Sequence, residues 1–397
     1  MVESPFIRAI NPTANLTWAH GVYAFIMRIS SDQEAMALAL AAAERALWLS
    51  NPNPRVGCIL TTPEGEVLGR GHTQAVGQAH AEIMALRDAA ANGRDVRGAT
   101  AYVTLEPCAH HGRTPPCVDA LIDAQVSRVV IAATDPNPAV NGSGIERLRA
   151  AGIDVTQGLM ADAARGMNIG FFSRMIRKTP WVRLKMAASA DGITALPNGE
   201  SQWITSPEAR ADGHRFRAQA CAVLTGAGTV LADDPHLCVR EVPTTRQPHV
   251  VVVDSRLQTP VNARLLTGER EKWLYHSGVA DDTTCDALKR TGATLIALAN
   301  AHQKVDLAAL LTDLAARGVN EVHLEAGTAL NGSFLRENLV DELLLYLAPT
   351  LLGQGQGLSN FGPLTALADG RAMRWLPPTM VGPDVRLRAV IGDRDTF

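Results

Sequence analysis

The stretch from His80 to Cys117 brings together residue types that could bind a metal and use it. It opens with the triplet HAE and closes with the run EPCAHHGRTPPC. One imidazole, from His80, and two thiols, from Cys108 and Cys117, make up the three protein ligands of a catalytic zinc ion (Zn2+), whose fourth tetrahedral position is left for water. Glu82 follows the histidine by two residues, where its carboxylate could carry protons to and from that water.

This order of residues predicts a reaction class. The pattern H-x-E, followed later by P-C and a second cysteine, is the signature of zinc deaminases. Zinc lowers the pKa of bound water to about 7, so that hydroxide can attack an amidine carbon that carries an exocyclic amine. Glu82 would take the water proton and hand it to the departing ammonia. The motif therefore predicts deamination of an aminopyrimidine or a purine-like ring.

A structural zinc site is the competing interpretation of the same residues. Structural sites close their coordination sphere with four protein ligands, and His110 or His111 could supply the fourth. The chain would then be a zinc-stabilised interaction protein without catalytic activity. Glu82 weighs against this interpretation, because a structural site does not need a carboxylate beside its ligands.

Size and charge limit the classes of protein to which the chain could belong. A length of 397 residues suggests two or three domains, and 46% hydrophobic residues are enough to build sizeable cores. The net charge of −3 at pH 7 argues against a general nucleic-acid binder. It leaves room for a small anionic substrate that a few arginines hold.

Cysteine usage and hydropathy bear on location. Six cysteines are too sparse in this chain for a disulfide framework and fit a reducing compartment. No apolar run reaches the ~18 to 20 residues that a membrane-spanning helix needs. The patch TWAHGVYAFIM near the N-terminus lacks the basic region and cleavage site of a signal peptide. We therefore expect a cytoplasmic protein with neither membrane nor nucleic-acid partners, in which Met27 could be the true start.

Hydrophobic periodicity predicts alternating strands and helices in the first half. Helices are predicted over residues 32–49, 80–91, 117–124, 145–151 and 162–177, and strands over 56–62, 66–71, 100–105, 126–132 and 153–156. The two strands at 56–62 and 66–71 form a hairpin. His80 and Cys117 then fall at helix N-termini, where the partial positive charge favours thiolate and hydroxide.

Thr179-Pro180 is the predicted domain boundary, after which a second α/β series begins. The chain is thereby divided into an N-terminal extension (1–29), a zinc deaminase domain (30–178) and a second domain (179–397). A helix is predicted over 207–219, with Ser206 as its N-cap and Pro207 in its first turn. The other predicted elements of this domain are a helix over 306–316 and strands over 181–188, 222–225, 250–254, 273–276, 294–298, 322–325 and 342–348.

The segment between the two cysteines makes the first domain more specific. Nucleotide and tRNA-editing deaminases place these cysteines two residues apart, whereas here eight residues, AHHGRTPP, separate them. Together with the runs NPNPRVG (51–57) and DPNP (135–138), this segment resembles the bifunctional riboflavin-biosynthesis deaminase–reductase family. The resemblance covers roughly residues 32 to 390 and stops short of the N-terminal extension.

This resemblance implies a cytidine-deaminase-like three-layer domain followed by a dihydrofolate-reductase-like α/β domain. The implied first substrate is 2,5-diamino-6-(5-phosphoribosylamino)pyrimidin-4-one, whose 2-amino group is hydrolysed off. By match to the family motif, Glu82 is the proton shuttle and the zinc ligands are His80, Cys108 and Cys117. Three residues in the motif stretches would line the same pocket, unless they only cap loops or lie at the surface: Asn53, His72 and His110.

Two runs of small residues in the second domain suggest a place for a cofactor. The run TGAG (225–228) follows a strand but lacks the full G-x-G-x-x-G of a dinucleotide fingerprint. A strand that ends at Glu325 opens into AGTALNGS (326–333) and then a helix, an arrangement that can cradle a pyrophosphate. Taken alone, the first run is better explained as an ordinary turn, whereas an ordinary strand–helix turn explains the second run as well as cofactor binding does.

Four runs, LKMAASADG, GESQWITS, TVLADDP and EAGTALNGS, resemble the reductase domain of the same family. The family reaction uses NADPH to reduce the ribosyl ring to a ribityl chain, by hydride transfer to the sugar C1 in its imine form. The resemblance implies that the cofactor contacts are Ala187, Trp203, Thr229, Asp233, Ser255, Gly327, Thr328, Ala329, Leu330, Asn331, Gly332 and Ser333. It implies that the substrate contacts are Ser201, Arg217, Leu237, Arg240 and Glu325.

Physical chemistry suggests roles for some of these side chains. Arg217 and Arg240 suit the 5′-phosphate of the substrate, because guanidinium groups bind phosphate bidentately, although surface ion pairs would also explain them. Glu325 ends an apolar strand. Hydrogen bonds to the substrate would offset the cost of burying a carboxylate at this place. Three further charged residues could orient the sugar or meet the cofactor's 2′-phosphate: Lys185, Asp191 and Arg256.

The alternative function is a nucleoside or tRNA deaminase with an unrelated second domain. The eight-residue spacing of the cysteines, the acidic balance and the reductase-like second half weigh against it. The resemblance also implies a homo-oligomer formed through the reductase domain.

Overall fold

The computed structural model describes residues 28–111, 115–138 and 140–397, and the described chain forms two compact units that divide between Ile176 and Arg177. The predicted N-terminal extension, apart from its last two residues, lies outside the described residues together with its apolar patch. Within the described ranges no helix is long and apolar enough to cross a membrane.

The first unit alternates helices and strands in the predicted order. Ser31 begins its first helix as an N-cap, because its side chain accepts a hydrogen bond from the Glu34 amide at 3.2 Å. The elements are α1 (Asp32–Glu44), β1 (Gly57–Thr61), β2 (Val67–His72), α2 (Ala81–Ala91), β3 (Thr100–Leu105), α3 (Cys117–Asp123), β4 (Arg128–Ala133), α4 (Ser143–Ala150), β5 (Asp154–Gln157), α5 (Ala161–Met167) and α6 (Ile169–Arg177).

The described strands of this unit form one sheet in the order β2-β1-β3-β4-β5. β1 runs antiparallel to both β2 and β3, so the predicted hairpin is confirmed. β3, β4 and β5 run parallel, because helical crossovers return the chain to the same end of the sheet. The residues that follow β3 and β4 therefore meet at one edge, which brings Cys108 and Asp135 to the same place.

Helices cover both faces of this sheet, which confirms the three-layer domain. On one face, a side chain at Gly57 in β1 would overlap the carbonyl oxygen of Ala39 in α1. Gly71 in β2 pairs with Cys58, the next residue along β1, and so points to the opposite face. A side chain at Gly71 would overlap the carbonyl oxygen of Ala81 in α2. Strand glycines and helix alanines thus let both helices dock closely on the sheet.

The single helix predicted over residues 162–177 is wrong, because the chain forms two helices, α5 and α6, that meet at Asn168. The buried Asn168 side chain accepts a hydrogen bond from the Arg55 amide at 2.7 Å and donates one to the Arg55 carbonyl oxygen at 3.0 Å. These bonds reach a loop 113 residues away in sequence. They stabilise a bend that local periodicity does not encode.

The second unit is also α/β, as predicted. The sequence analysis does not predict two of its short helices, α8 and α9, and α8 begins within the TGAG run. The elements are β6 (Trp181–Ser189), α7 (Pro207–Gln219), β7 (Ala222–Gly226), α8 (Ala227–Asp233), β8 (His249–Val253), β9 (Lys272–His276), α9 (Asp282–Lys289), β10 (Thr294–Ala297), α10 (Leu307–Ala316), β11 (Glu321–Leu324), α11 (Thr328–Arg336), β12 (Glu342–Ala348), β13 (Met373–Trp375), β14 (Thr379–Val381) and β15 (Asp384–Ile391).

The described strands of the second unit form one sheet in the order β10-β9-β8-β7-β11-β6-β12-β15-β13, and β14 pairs with β15. The neighbours from β10 to β12 are all parallel, and β15 turns antiparallel to β12. The carboxyl ends of β7, β11 and β6 therefore lie side by side. Ligands bind beyond such strand ends in open parallel sheets.

The face of the sheet under α7 carries buried ion pairs. Arg183 in β6 has 1% of its surface exposed and contacts Glu321 at 3.2 Å and Glu342 at 2.9 Å. Its guanidinium lies 5.3 Å from the centre of the Phe216 ring in α7. Ser206 caps α7 as predicted. α7 thus packs on this face through charged and aromatic groups.

Candidate active sites

The three residues predicted as zinc ligands lie together in the first unit. His80 is the N-cap of α2 and Cys117 is the first residue of α3, so two helix N-termini meet at the cluster. The Nδ1 atom of His80 lies 3.3 Å from Sγ of Cys117 and 3.6 Å from Sγ of Cys108. All three ligand atoms lie within 4.8 Å of one another.

This arrangement fits a tetrahedral zinc ion. Bond lengths of about 2.3 Å to sulfur and about 2.0 Å to nitrogen would put nitrogen and sulfur ligands roughly 3.5 Å apart, close to the observed separations. The Cys117 amide donates to Sγ of Cys108 at 3.3 Å. The hydrogen bond from the Cys117 thiol lowers the pKa of Cys108, and thiolate is the form that binds metal.

Glu82 lies in the first turn of α2, beside the cluster, with 3% of its surface exposed. Burial is the main reason that the pKa of its carboxyl rises to about 7, and the charge on Cys108 adds to the effect. A carboxyl with such a pKa can both take and give a proton at neutral pH. These are the properties that a proton shuttle requires.

The zinc cluster opens into a cavity of about 300 Å³. Asn53 and His110 line this cavity, whereas His72 is not part of its lining. Asp135, to which the sequence analysis gives no role, lines it as well, and burial raises the pKa of its carboxyl to about 7. Its signal in the sequence was the DPNP run, which puts an aspartate directly after a buried strand.

One wall of this cavity comes from α6, which contributes Phe171, Arg174 and Met175. Among the lining residues that the structure describes, Arg174 is the one lysine or arginine. Arg113, in the segment between the cysteines, lies outside the described ranges. Arg174 could not be recognised from the sequence, because a single arginine on a helix belongs to no motif.

Glu106, from the EPC run, serves the scaffold. Its carboxylate accepts hydrogen bonds from four backbone amides at 2.9 to 3.3 Å, those of Asp135, Gly142, Gly144 and Ile145. These bonds join the loop after β4 to the start of α4. Glu106 therefore holds the backbone that carries Asp135 at the cavity.

The second unit contains a larger cavity of about 1070 Å³ beyond the ends of β6, β7 and β11. All predicted substrate contacts line it: Ser201, Arg217, Leu237, Arg240 and Glu325. Most predicted cofactor contacts also line it: Ala187, Trp203, Thr229, Asp233, Gly327, Thr328, Ala329, Leu330 and Asn331.

The remaining predicted cofactor contacts, Ser255, Gly332 and Ser333, are not part of this lining. The Ser255 hydroxyl oxygen accepts a hydrogen bond from a backbone amide at 3.2 Å, and the Ser333 hydroxyl donates one within α11 at 3.1 Å. The carbonyl group of Asn360 fills the space beside Gly332. Arg256 and the exposed Asp191 also lie outside the lining.

Arg217 and Glu325 form a bidentate ion pair in the cavity wall. Nε and Nη2 of Arg217 donate to the two carboxylate oxygens at 2.8 and 2.9 Å, and Nη1 donates to the Cys238 carbonyl oxygen at 2.7 Å. Burial alone would raise the pKa of Glu325, but the groups around the carboxylate, Arg217 foremost among them, together outweigh it and hold that pKa well below its usual range. Arg217 is thus occupied in orienting Glu325, whereas the Arg240 side chain is 51% exposed and its Nε atom lies 3.6 Å from a carboxylate oxygen of Glu241 in a surface ion pair.

Lys185 and His214 complete the polar wall around this pair. Burial lowers the pKa of Lys185, and the carboxylate of Glu325 opposes that change. Nδ1 of His214 accepts a hydrogen bond from the Arg240 amide at 3.2 Å. Burial, followed by the charges of Arg217 and Arg240, lowers the pKa of His214 to about 4, so this histidine is neutral at pH 7. No motif in the sequence pointed to it.

Other parts of the lining fit NADPH. Gly327 is the N-cap of α11 and brings no side-chain cap, so that the helix N-terminus is suited to an anion. The buried Oδ1 atom of Asn331 has no hydrogen-bond partner among the described residues. Trp203 is 65% exposed, and the Arg210 guanidinium lies 4.3 Å from its ring centre. An anion cradle, an open acceptor and an exposed aromatic face together match a dinucleotide.

Comparison with known proteins finds similarity along both units. The model of the RibD C-terminal domain matches residues 180–381, and that of the cytidine and deoxycytidylate deaminase zinc-binding region matches residues 29–133. The riboflavin biosynthesis protein RibD of Escherichia coli (strain K12) is 45% identical over 373 residues, which cover 90% of this chain and 99% of that protein.

Solved structures extend this similarity to three dimensions. RibD of Acinetobacter baumannii (form 1) matches with a TM-score of 0.82 at 39% identity, over 91% of this chain and 99% of that one. A diaminohydroxyphosphoribosylaminopyrimidine deaminase/5-amino-6-(5-phosphoribosylamino)uracil reductase from Thermotoga maritima matches with a TM-score of 0.80 at 29% identity, with the same coverage.

Proposed function

Because the chain belongs to the RibD family of riboflavin biosynthesis proteins, we infer that it catalyses two consecutive steps of that pathway. The first is hydrolytic deamination of 2,5-diamino-6-(5-phosphoribosylamino)pyrimidin-4-one. The second is reduction of the ribosyl group of 5-amino-6-(5-phosphoribosylamino)uracil to ribityl with NADPH. The observation that carries this conclusion is the triad of zinc ligands beside buried Glu82, on a chain whose other unit matches the RibD C-terminal domain. The same match disfavours a nucleoside or tRNA deaminase with an unrelated second domain.

In the first unit, bound zinc supplies a hydroxide nucleophile at neutral pH. Glu82 takes the proton of the attacking water and delivers it to the departing ammonia, a double task for which a pKa of about 7 is suited. Asn53, His110 and Asp135 line the cavity and offer polar groups to the edge of the pyrimidine ring. The Glu106 hydrogen bonds keep the Asp135 backbone in place for that contact.

The lining of the cavity includes three carboxyl groups, those of Glu82, Glu106 and Asp135. Because negative charge there repels phosphate, the phosphate of the substrate needs a cation. Arg174 on α6 is the cation that the described lining provides. A guanidinium can hold a phosphate through two hydrogen bonds. Arg174 therefore binds the phosphoribosyl end of the substrate while the ring points toward His80.

In the second unit, the lining of the larger cavity would hold NADPH, which when bound would supply the hydride that reduces the sugar. Glu325 accepts hydrogen bonds from the ribosyl hydroxyl groups, and the fork of Arg217 keeps this carboxylate ionised and oriented. Arg240 meets the 5′-phosphate, because its ion pair with Glu241 is long and exposed and can give way, whereas the pair of Arg217 with Glu325 is largely buried. Trp203 and the N-terminus of α11 bind the cofactor.

A coupled assay with the diaminopyrimidine substrate tests both steps, with ammonia release and NADPH oxidation scored separately. We expect ammonia first and then one NADPH oxidised for each ammonia released. We expect no ammonia from cytidine or tRNA. Ammonia from cytidine with none from the diaminopyrimidine would overturn the proposal.

A second copy of the chain is the partner that fits the edge of the larger sheet. β13 is an edge strand, all three of its residues are exposed, and two of them are the large apolar side chains of Met373 and Trp375. Exposed apolar edge strands are templates for pairing with another chain. Light scattering should therefore give a dimer or larger assembly, and Trp375→Asp should shift it toward monomer. A wild-type protein that is monomeric at assay concentrations would contradict this proposal.

A further inference from the structure

His323 is a buried histidine to which neither reaction has assigned a task. It lies in β11, between Arg183 of β6 and Val223 of β7, and 1% of its surface is exposed. It is also part of the lining of the larger cavity. In the described part of the chain neither ring nitrogen has a hydrogen-bond partner.

Such a residue lowers stability unless something else requires it. A buried polar group without a partner loses its hydrogen bonds to water and gains none in return. Val223 in β7 pairs with His323, lies on the same face of the sheet and is fully buried, so an apolar side chain fits beside this position. A histidine that stays here unpaired therefore points to a hydrogen bond that forms only when the ligand binds.

The nearest candidate acceptor is Glu325, the residue proposed to bind the ribosyl group. Nε2 of His323 lies 3.5 Å from Oε1 of Glu325, slightly beyond a hydrogen bond. Burial, with further contributions from nearby cations, lowers the pKa of His323 to about 3, so the ring is neutral and carries one N–H. A shift of a few tenths of an ångström would close the gap.

We propose that His323 is a positioning residue for Glu325, whose Oε1 atom receives the Nε2–H of His323 when the ribosyl hydroxyl groups engage the carboxylate. Arg217 reaches Glu325 from α7, and His323 reaches it from the strand beneath. The carboxylate is then held from two directions in the orientation that the sugar requires. This inference rests on the proposed reductase function and names a further residue that determines substrate affinity there.

The test compares His323→Leu with His323→Gln in the full-length protein. Leucine fills the space without a polar atom, and glutamine restores an N–H donor. We expect His323→Leu to raise the reductase KM for 5-amino-6-(5-phosphoribosylamino)uracil about tenfold, the effect of one hydrogen bond to a charged group. His323→Gln should recover most of that loss. The Kd for NADPH and the rate of ammonia release should stay at wild-type values, and Tm should stay equal or rise.

His249→Leu is the matched control. This histidine also lies on a strand of the same sheet, β8, and its Nδ1 atom likewise has no partner among the described residues. It is not part of the cavity lining, and its ring packs 4.9 Å from that of Trp273. We expect its KM to match that of the wild type.

The outcomes separate this inference from the proposed function. An unchanged KM in His323→Leu, in a protein whose wild type reduces the substrate, would overturn the positioning role. A lower Tm with unchanged KM would assign His323 to the fold alone. Wild-type protein without reductase activity would instead count against the proposed function, whatever the variant does.

Discussion

Replacing Glu82 by glutamine isolates the proton transfer of the first reaction from everything else in the protein. The substitution keeps the size of the side chain and removes its ability to accept a proton. Glu82 is 3% exposed, so bulk water cannot easily reach the same position. The other carboxyl groups of the cavity are poor substitutes. Glu106 accepts hydrogen bonds from four backbone amides, and Asp135 lies in the loop after β4, whereas Glu82 lies on α2.

The expected loss follows from these contacts. A positioned acid–base group contributes roughly 10² to 10⁴ in rate. We therefore expect kcat for ammonia release to fall at least about a hundredfold, which corresponds to about 2.7 kcal/mol. The zinc content should not change, since His80, Cys108 and Cys117 remain.

Three measurements on one sample check this prediction: ammonia release, zinc content by elemental analysis, and NADPH oxidation with substrate that is already deaminated. The last should equal the wild-type rate, because the second unit has its own cavity. Glu146→Gln, an exposed glutamate on α4, is the control for loss of a carboxylate as such. Full ammonia release by Glu82→Gln would refute the proton-shuttle assignment, and loss of zinc would show that Glu82 also maintains the metal site.

The remaining predictions concern other parts of the two sites. Arg174→Gln should raise the deaminase KM for the phosphorylated substrate about tenfold and leave the KM for its dephosphorylated form unchanged. Arg87→Gln, at an exposed arginine, is the control. Equal effects on both substrates would contradict phosphate binding. Removal of zinc by a chelator should stop ammonia release and spare NADPH oxidation with deaminated substrate; loss of both would contradict separate sites. The free energy of unfolding, measured by urea titration, should fall as pH drops from about 6.5 toward 3, because buried His323 stays neutral in the folded protein and becomes protonated in the unfolded chain. In His323→Leu the slope of this free energy against pH should be smaller by up to ~1.4 kcal/mol per pH unit. Parallel slopes for the two proteins would contradict the low pKa of His323.

The zinc cluster could be predicted from the sequence because its ligands sit where elements begin or end. His80 precedes a helix and Cys117 starts one, so local periodicity was enough to place both residues at helix N-termini. The strand–helix alternation was readable for the same reason. These features depend on short stretches of chain and on general rules of parallel sheets.

The features that were missed depend on partners distant in sequence. The helix breaks at Asn168 because its side chain forms hydrogen bonds with the Arg55 backbone, and no residue near position 168 in the sequence predicts these bonds. Arg217 was expected to meet a phosphate, yet its fork is filled by Glu325, 108 residues further along. The lack of hydrogen-bond partners for the ring nitrogens of His323 could be recognised only when its neighbours in the sheet were known. Periodicity indicates which face of a helix or strand a residue occupies, but it does not indicate which distant residue it contacts there.

The close docking of α2 on β2 divides the first active site into a fixed part and a variable part. His80 and Glu82 are carried by a helix that rests directly on Gly71, where any added side chain would displace both residues together. Cys108 and Cys117 are likewise tied to a strand end and a helix start, and none of the described residues between them belongs to the metal-binding group. An enzyme built in this way can change the length and sequence of that segment, and with it the molecule it accepts, without rebuilding its catalytic metal centre. For protein engineering, this makes the glycines of the strand the positions to leave alone and the segment between the cysteines the place to diversify.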